Sequence, residues 1–183
     1  MPNTVARLIR YFVERYPGAG RTRIVKFLYM ADHEARRYLG RPLTDLRYRW
    51  DHHGPFDAEI QRQLNSLGFN GYIKEEKHER EYVWYNYFAT DIALPCPLKK
   101  EELTIVEHVI QSYTSLKLDV LLEEIVYQTR PMLEATTRGE LLDMDLVNNE
   151  ARVPGLELER MIGAFEELAS GGGTPFEDVF CGA

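Results

Sequence analysis

A chain of 183 residues with 44% hydrophobic and 28% charged residues has the composition of a folded domain, and it is long enough to bury roughly two-thirds of the surface its unfolded form exposes. The formal net charge of −7 weighs against nonspecific nucleic-acid binding, which lysine and arginine drive. No apolar run reaches the roughly 20 residues of a membrane-crossing helix, and Cys96 and Cys181 lie far apart in sequence, so a cytoplasmic protein with reduced thiols is expected.

The spacing of Val5, Leu8, Ile9, Phe12, Val13 and Tyr16 predicts an amphipathic helix over Thr4 to Tyr16, capped by Asn3 or Thr4 and ended by Pro17-Gly18. A second helix is expected over Arg21 to Leu39, with Ile24, Phe27, Leu28 and Ala31 inward and Gly40 just past its end. Helical periodicity then stops. Leu46, Tyr48 and Trp50 alternate with Arg47, Arg49 and Asp51, the period-2 pattern of a strand with one apolar and one charged face. Gly54-Pro55 breaks that strand, and Phe56, Ile60, Leu64 and Leu67 predict a helix starting at the proline. Tyr72 to Glu76 and Tyr82 to Phe88, joined across Lys77 to Arg80, read as a β-hairpin. Pairing with Leu46 to Trp50 would complete a three-stranded antiparallel sheet.

Beyond a proline-containing linker at 91–98, helices are expected over Glu101 to Tyr113 and Leu118 to about Thr129, the second capped by Ser115 and ended by Arg130-Pro131-Met132. Residues 135–149 read as a polar connector. A last amphipathic helix over Leu156 to Leu168, a flexible Ser-Gly linker and an acidic tail with two phenylalanines complete the chain. The expected division is a domain over 1–148 and a C-terminal helix, linker and tail over 149–183. Most of the eleven Tyr, eight Phe and two Trp precede position 90, so the first half carries an aromatic core with tyrosine left at the surface.

Helix, helix, strand, helix and hairpin are the order of a winged helix-turn-helix, which would present the Arg21 to Arg37 helix to DNA. The acidic net charge argues against it. Asp51, His52 and His53 invite a metal or acid-base reading, yet neighbours on a strand point to opposite faces and no third ligand has telling spacing, so a structural turn is expected. Asp32-His33-Glu34 lacks the second histidine of a zinc-protease helix and reads as a solvated face. No nucleophile elbow, phosphate loop or dinucleotide fingerprint is present, and neither cysteine has a basic neighbour to activate it. Arg36, Arg37, Arg41, Arg47 and Arg49 form the most concentrated basic set, suited to gripping phosphates or carboxylates or to serving as a solvated face.

The run KFLYMADHEARRYLGRPLTDLRYRWDHHGPFDAEI, Lys26 to Ile60, resembles the opening of the Panacea domain family, also called the SocA-like antitoxin domain. A second stretch, Thr104 to Ala135, is similar to that family's later helical pair, including an aromatic-x-Thr-x-Pro-Met ending at Tyr127, Thr129, Pro131 and Met132. The resemblance spans roughly residues 5 to 142 and departs from the family at Leu39, inserted before Gly40, and at Asp45, in place of a glycine. It implies antitoxins or adaptors that bind a protein toxin or present it for proteolysis, with no catalysis and no cofactor. Asp32, Arg41, Tyr48, Gly54 and Pro55 match the family pattern, and turn, core and helix-end pairing are the roles their residue types suggest.

The expected fold is α+β and predominantly helical, with a small antiparallel sheet and winged-helix-like elements. The expected function is noncatalytic protein binding, antitoxin-like, through an aromatic and arginine patch of Arg47, Arg49, Tyr82, Trp84 and Tyr85, residue types that dominate interface energetics. A DNA-binding regulator is the alternative, and a metal enzyme built on Asp51, His52 and His53 the second.

Overall fold

The computed structural model describes residues 2–149 and 159–164. The α+β, predominantly helical class is borne out, with α1 at Thr4–Arg15, β1 at Ala19–Gly20, α2 at Arg21–Leu39, β2 at Arg49–Asp51, β3 at Gly54–Phe56, α3 at Ala58–Phe69, β4 at Ile73–Glu79, β5 at Val83–Ala89 and α4 at Lys100–Tyr113.

Asn3 caps α1, its side-chain oxygen accepting the Ala6 amide at 2.9 Å. The apolar stripe of α1 buries Leu8, Ile9, Phe12 and Val13 completely, and Phe12 meets Phe27 of α2 edge-on with ring centroids 5.5 Å apart. Helix α2 runs over the residues its periodicity predicts and ends on Gly40 in the left-handed region, φ 71°. Every residue from Ile24 to Ala35 is buried, because α1, α4, β3 and the 3-10 segment Met144–Asn149 all pack against this one helix. It is the axis of the fold.

The hairpin β4–β5 forms, in register from Ile73↔Ala89 to Glu79↔Val83, but Lys77, His78 and Glu79 continue the strand and the turn falls at residues 80–82 rather than at Lys77 to Arg80. Its third strand is not Leu46 to Trp50. The sheet order is β1-β5-β4, with Ala19 and Gly20 opposite Tyr87 and Asn86. Residues Arg49–Asp51 instead turn back at His52-His53 and pair with Gly54–Phe56 in a separate two-stranded sheet. Residues 45–48 have no ladder at all. Pro55 therefore sits in a strand, and α3 starts later than expected, at Ala58, with the Asp57 carboxylate accepting the Glu59 amide at 2.8 Å as its cap. Strand β4 lies at the rim of its sheet, with Lys74 paired to Glu76 at 2.7 Å and Lys77 to Glu79 at 2.8 Å.

The expected helix from Leu118 to Thr129 is broken into one α-helical turn at Leu118–Val120, a π-helical turn at Leu121–Ile125 and a 3-10 turn at Val126–Gln128, and Lys117 rather than Ser115 precedes it. Thr129 stops it, since both its amide and its hydroxyl go to the Val126 carbonyl. Arg130-Pro131-Met132 does not end that helix but opens a new one at Arg130–Glu134, the position in a first turn that proline favours. The polar connector is partly core: Leu142, Met144 and Val147 are buried. Of the expected helix from Leu156 to Leu168, residues 159–164 are helical and the rest lies outside the described residues, as do the linker and the tail.

Candidate functional site

One face of α2 carries Lys26, Tyr29 and Asp32 at intervals of three residues, and all are almost wholly buried, Lys26 at 2% and Asp32 at 1% exposure. A buried carboxylate needs donors, and Asp32 has four. One oxygen accepts the Leu43 and Thr44 amides, each at 2.9 Å, and the other accepts the Thr44 hydroxyl and, at 2.9 Å, the Tyr48 hydroxyl. Asp32-His33-Glu34 is thus not a solvated face, because the chain returning after Gly40 covers it; His33 and Glu34 are buried beside it, 3.1 Å apart. Burial pushes the Asp32 carboxyl up to about 6, against the hydrogen bonds that pull it down.

The Tyr48 ring stands edge-on to Tyr29, centroids 5.2 Å apart. Thr129 Oγ1 gives its one proton to the Val126 carbonyl at 2.7 Å, so at the 2.6 Å contact with Tyr29 the tyrosine hydroxyl is the donor. One turn before Tyr29 on α2, Lys26 Nζ donates to the Pro55 carbonyl at 2.7 Å. Burial lowers this ammonium to about 7, and the negative charge of Asp51 works in the opposite direction. Gly54 lies over it in the left-handed region, φ 81°, where a Cβ would come within 3.3 Å of the Tyr127 ring and 3.6 Å of Lys26 Nζ. Only glycine meets both conditions.

This buried network holds an exposed surface in place. Residues 43–48 run extended with side chains serving their amides: Thr44 Oγ1 accepts Leu46 N at 3.2 Å and Asp57 accepts Arg47 N at 2.7 Å. Leu46 and Tyr48 point inward, leaving Arg47 and Arg49 exposed. Beyond them β2 is clamped by the turn at 136–140: Gly139 N donates to the Trp50 carbonyl at 2.7 Å, Trp50 N donates to the Glu140 carbonyl at 3.0 Å, and Arg49 Nη1 donates to the Gly139 carbonyl at 3.0 Å. Exposed Arg138 reaches the tip of the hairpin, its Nη1 lying 3.3 Å from His52 Nδ1.

The other expected binding residues sit on the second hairpin. Tyr82, 71% exposed, leans on Trp84 with centroids 5.4 Å apart, and Trp84 stacks on His78 at 5.0 Å and 13°. Tyr85 follows Trp84 on the strand and so faces the other side, packed against the core. No hydrogen bond, ion pair or ring contact joins Arg47 or Arg49 to Tyr82, Trp84 or Tyr85 among the described residues. Arg49 lies on β2 with Arg47 just before it, and Trp84 and Tyr85 lie on β5 of the other sheet with Tyr82 just before them.

Of the basic set, Arg36 pairs with Asp145 at 3.1 Å and Arg41 with Glu102 at 2.5 Å, so these two arginines tie the C-terminal end of α2 to its neighbours. Asp51, His52 and His53 are exposed at the hairpin turn, and no group of three side chains able to hold a metal occurs among the described residues. Burial pushes the Cys96 thiol up to about 12, against the opposite pull of the Arg7 charge. No helix among the described residues is long and apolar enough to cross a membrane. Sequence reasoning missed Lys26, Tyr29, Thr44 and Arg138. The signal for Lys26 was a lone cation inside the apolar run Ile24 to Met30.

The family model for the antitoxin SocA-like, Panacea domain matches residues 24–130, more than half of the chain. No curated protein and no solved structure matches the chain.

Proposed function

The chain belongs to the antitoxin SocA-like, Panacea domain family, and from that premise we propose that it is a noncatalytic antitoxin, which neutralises a protein toxin by covering its working surface or by presenting it for proteolysis. The observation that carries this reading is the hairpin β2–β3 tied to α2 by the buried Lys26–Pro55 bond and to the turn at 136–140 by backbone bonds, while Arg49 and the preceding Arg47 stay exposed. A surface ordered in advance loses little freedom on binding. The stacked Tyr82, Trp84 and His78 at the tip of the other hairpin offer a second contact of a type that anchors interfaces.

DNA binding is less well supported. In the helix from Arg21 to Arg37, residues 24–35 are all buried, so its middle has no face free for a major groove. In the order α1-β1-α2-α3-β4-β5 it is α3 that would take the recognition position of a winged helix. There Arg62 is already paired with Glu59 at 2.6 Å.

The test is capture of partners from host lysate by the purified chain, with Arg49→Ala and Trp84→Ala in parallel and duplex binding measured on the same samples. A stoichiometric small protein lost on one or both substitutions, with the fold intact, is the expected result. Salt-sensitive duplex binding without any protein partner would replace this reading by the regulator.

A further inference from the structure

We propose that the hairpin β2–β3 and the turn at 136–140 form a carboxylate clamp, in which Arg49 and Arg138, flanked by Arg47 and His52, receive acidic side chains of the protein partner. The clamp rests on the protein-binding reading above and gives that surface its chemistry.

Six guanidinium groups elsewhere in the chain find carboxylates within the fold, whereas Arg7, Arg21 and Arg23 bond neutral oxygens and Arg80 and Arg130 have no carboxylate among the described residues. Arg10, Arg15, Arg36, Arg37, Arg41 and Arg62 each have a carboxylate within 4.0 Å. Arg47, Arg49 and Arg138 have none among the described residues. Arg49 gives one N–H to the Gly139 carbonyl and Arg138 one to the His52 ring, which leaves most of each five-donor fork unused. Arg138 beside His52 brings two basic side chains together with no anion between them.

Nearby acids are otherwise engaged. Glu140 accepts the Thr136 and Thr137 amides, Asp57 accepts those of Arg47 and Glu59, and Asp45 lines a separate cleft with Asn3 and Thr4. Asp51, by contrast, is exposed at the hairpin turn and makes no hydrogen bond or ion pair with the arginines among the described residues. The backbone bonds between Trp50 and residues 139–140 hold together the two chain segments that carry Arg49 and Arg138 before anything binds. Planar forks held in this way suit bidentate contact with carboxylates. Phosphate shares that geometry, but a chain of net charge −7 repels a polyanion as a whole, whereas a short acidic segment touches only the clamp.

The test uses the full chain and a fluorescein-labelled peptide of 12 residues alternating Glu and Asp with Gly, its Gln/Asn counterpart, and a labelled DNA duplex, read by anisotropy. The acidic peptide should bind at least tenfold tighter than the amide peptide, and Arg138→Glu should lower its affinity at least tenfold with the melting temperature unchanged. A Lys-Gly peptide should bind the double variant Arg49→Glu, Arg138→Glu and not the parent chain. Equal binding of the acidic and amide peptides, or no effect of Arg138→Glu, overturns the clamp; partner capture from lysate by the parent chain would then still stand, so failure of the clamp and failure of the protein-binding reading are separable. Duplex bound more tightly than the acidic peptide, and lost on Arg138→Glu, overturns it in favour of a phosphate site.

Discussion

Asp32 illustrates why residue type matters more than polarity at a buried position. Its four donors come from Leu43, Thr44 and Tyr48, so one carboxylate fixes the entire return of the chain after α2. Asp32→Leu leaves those donors buried without an acceptor, at about 1–3 kcal/mol for each that cannot reorient. We expect a loss of about 3–5 kcal/mol in urea unfolding. Asp32→Asn should cost only about 1 kcal/mol, because its amide oxygen still accepts the two backbone N–H groups and its NH2 can donate to the two hydroxyls. Leucine matching asparagine in denaturation midpoint would show that the carboxylate does not hold this loop.

Among the elements, hairpin β2–β3 depends most on a single backbone position. Gly54 combines positive φ with crowding by Tyr127 and Lys26, whereas Gly139, at φ 89°, has open space where a Cβ would stand, with nothing within 4 Å. Alanine at either site incurs about 1–2 kcal/mol for the left-handed backbone; at Gly54 the crowding adds to it. Thermal melting should therefore show Gly54→Ala clearly less stable than Gly139→Ala, with faster amide exchange across Arg49–Phe56. Equal melting of the two would remove Gly54 as the wedge. Elements with their own periodicity were legible in sequence, namely α1, α2, α4 and the hairpin β4–β5. What was not legible had no period to read. Two residues, Ala19 and Gly20, cannot alternate, so the third strand of the sheet went unseen. The alternation from Leu46 to Trp50 is real, but only Arg49 and Trp50 belong to a ladder; Leu46 and Arg47 lie in an extended segment whose amides are accepted by the side chains of Thr44 and Asp57. The π-helical turn at Leu121–Ile125 rotates all that follows, bringing Val126 and Tyr127 to Gly54 and Thr129 to Tyr29, and apolar spacing alone reads through such a turn as continuous helix. The arginine surface was visible as residue types; that Arg49 and Trp84 lie on different sheets depended on pairing that local pattern does not encode.

For the molecule as a whole, two of the buried ionisable groups on α2, Lys26 and Asp32, shape stability against pH in opposite windows. Folding lowers Lys26 from 10.5 to about 7, so the unfolded chain binds more protons between those values and stability rises with pH there, by at most about 1.4 kcal/mol per unit. Folding raises Asp32 from 3.8 to about 6, so its contribution is complete below about 3.8 and is lost as pH rises through about 6. Lys26→Met should abolish the rise between pH 7 and 10 and leave the acid limb unchanged in urea titrations. A parent chain with a flat profile between pH 7 and 10 would contradict a neutralised buried lysine.

The rim of the three-stranded sheet has a bearing on how this protein behaves in crowded solution. Seven residues of β4 expose one row of backbone donors and acceptors, an invitation for another chain to add itself. The side chains along that row are selective: two copies laid antiparallel about Glu76 would set that carboxylate against itself at their centre and Glu75 against Lys77 on either side. Among the described residues β4 thus keeps an open sheet edge, and an added strand that sets opposite charge across from Glu76 is the one its side chains favour.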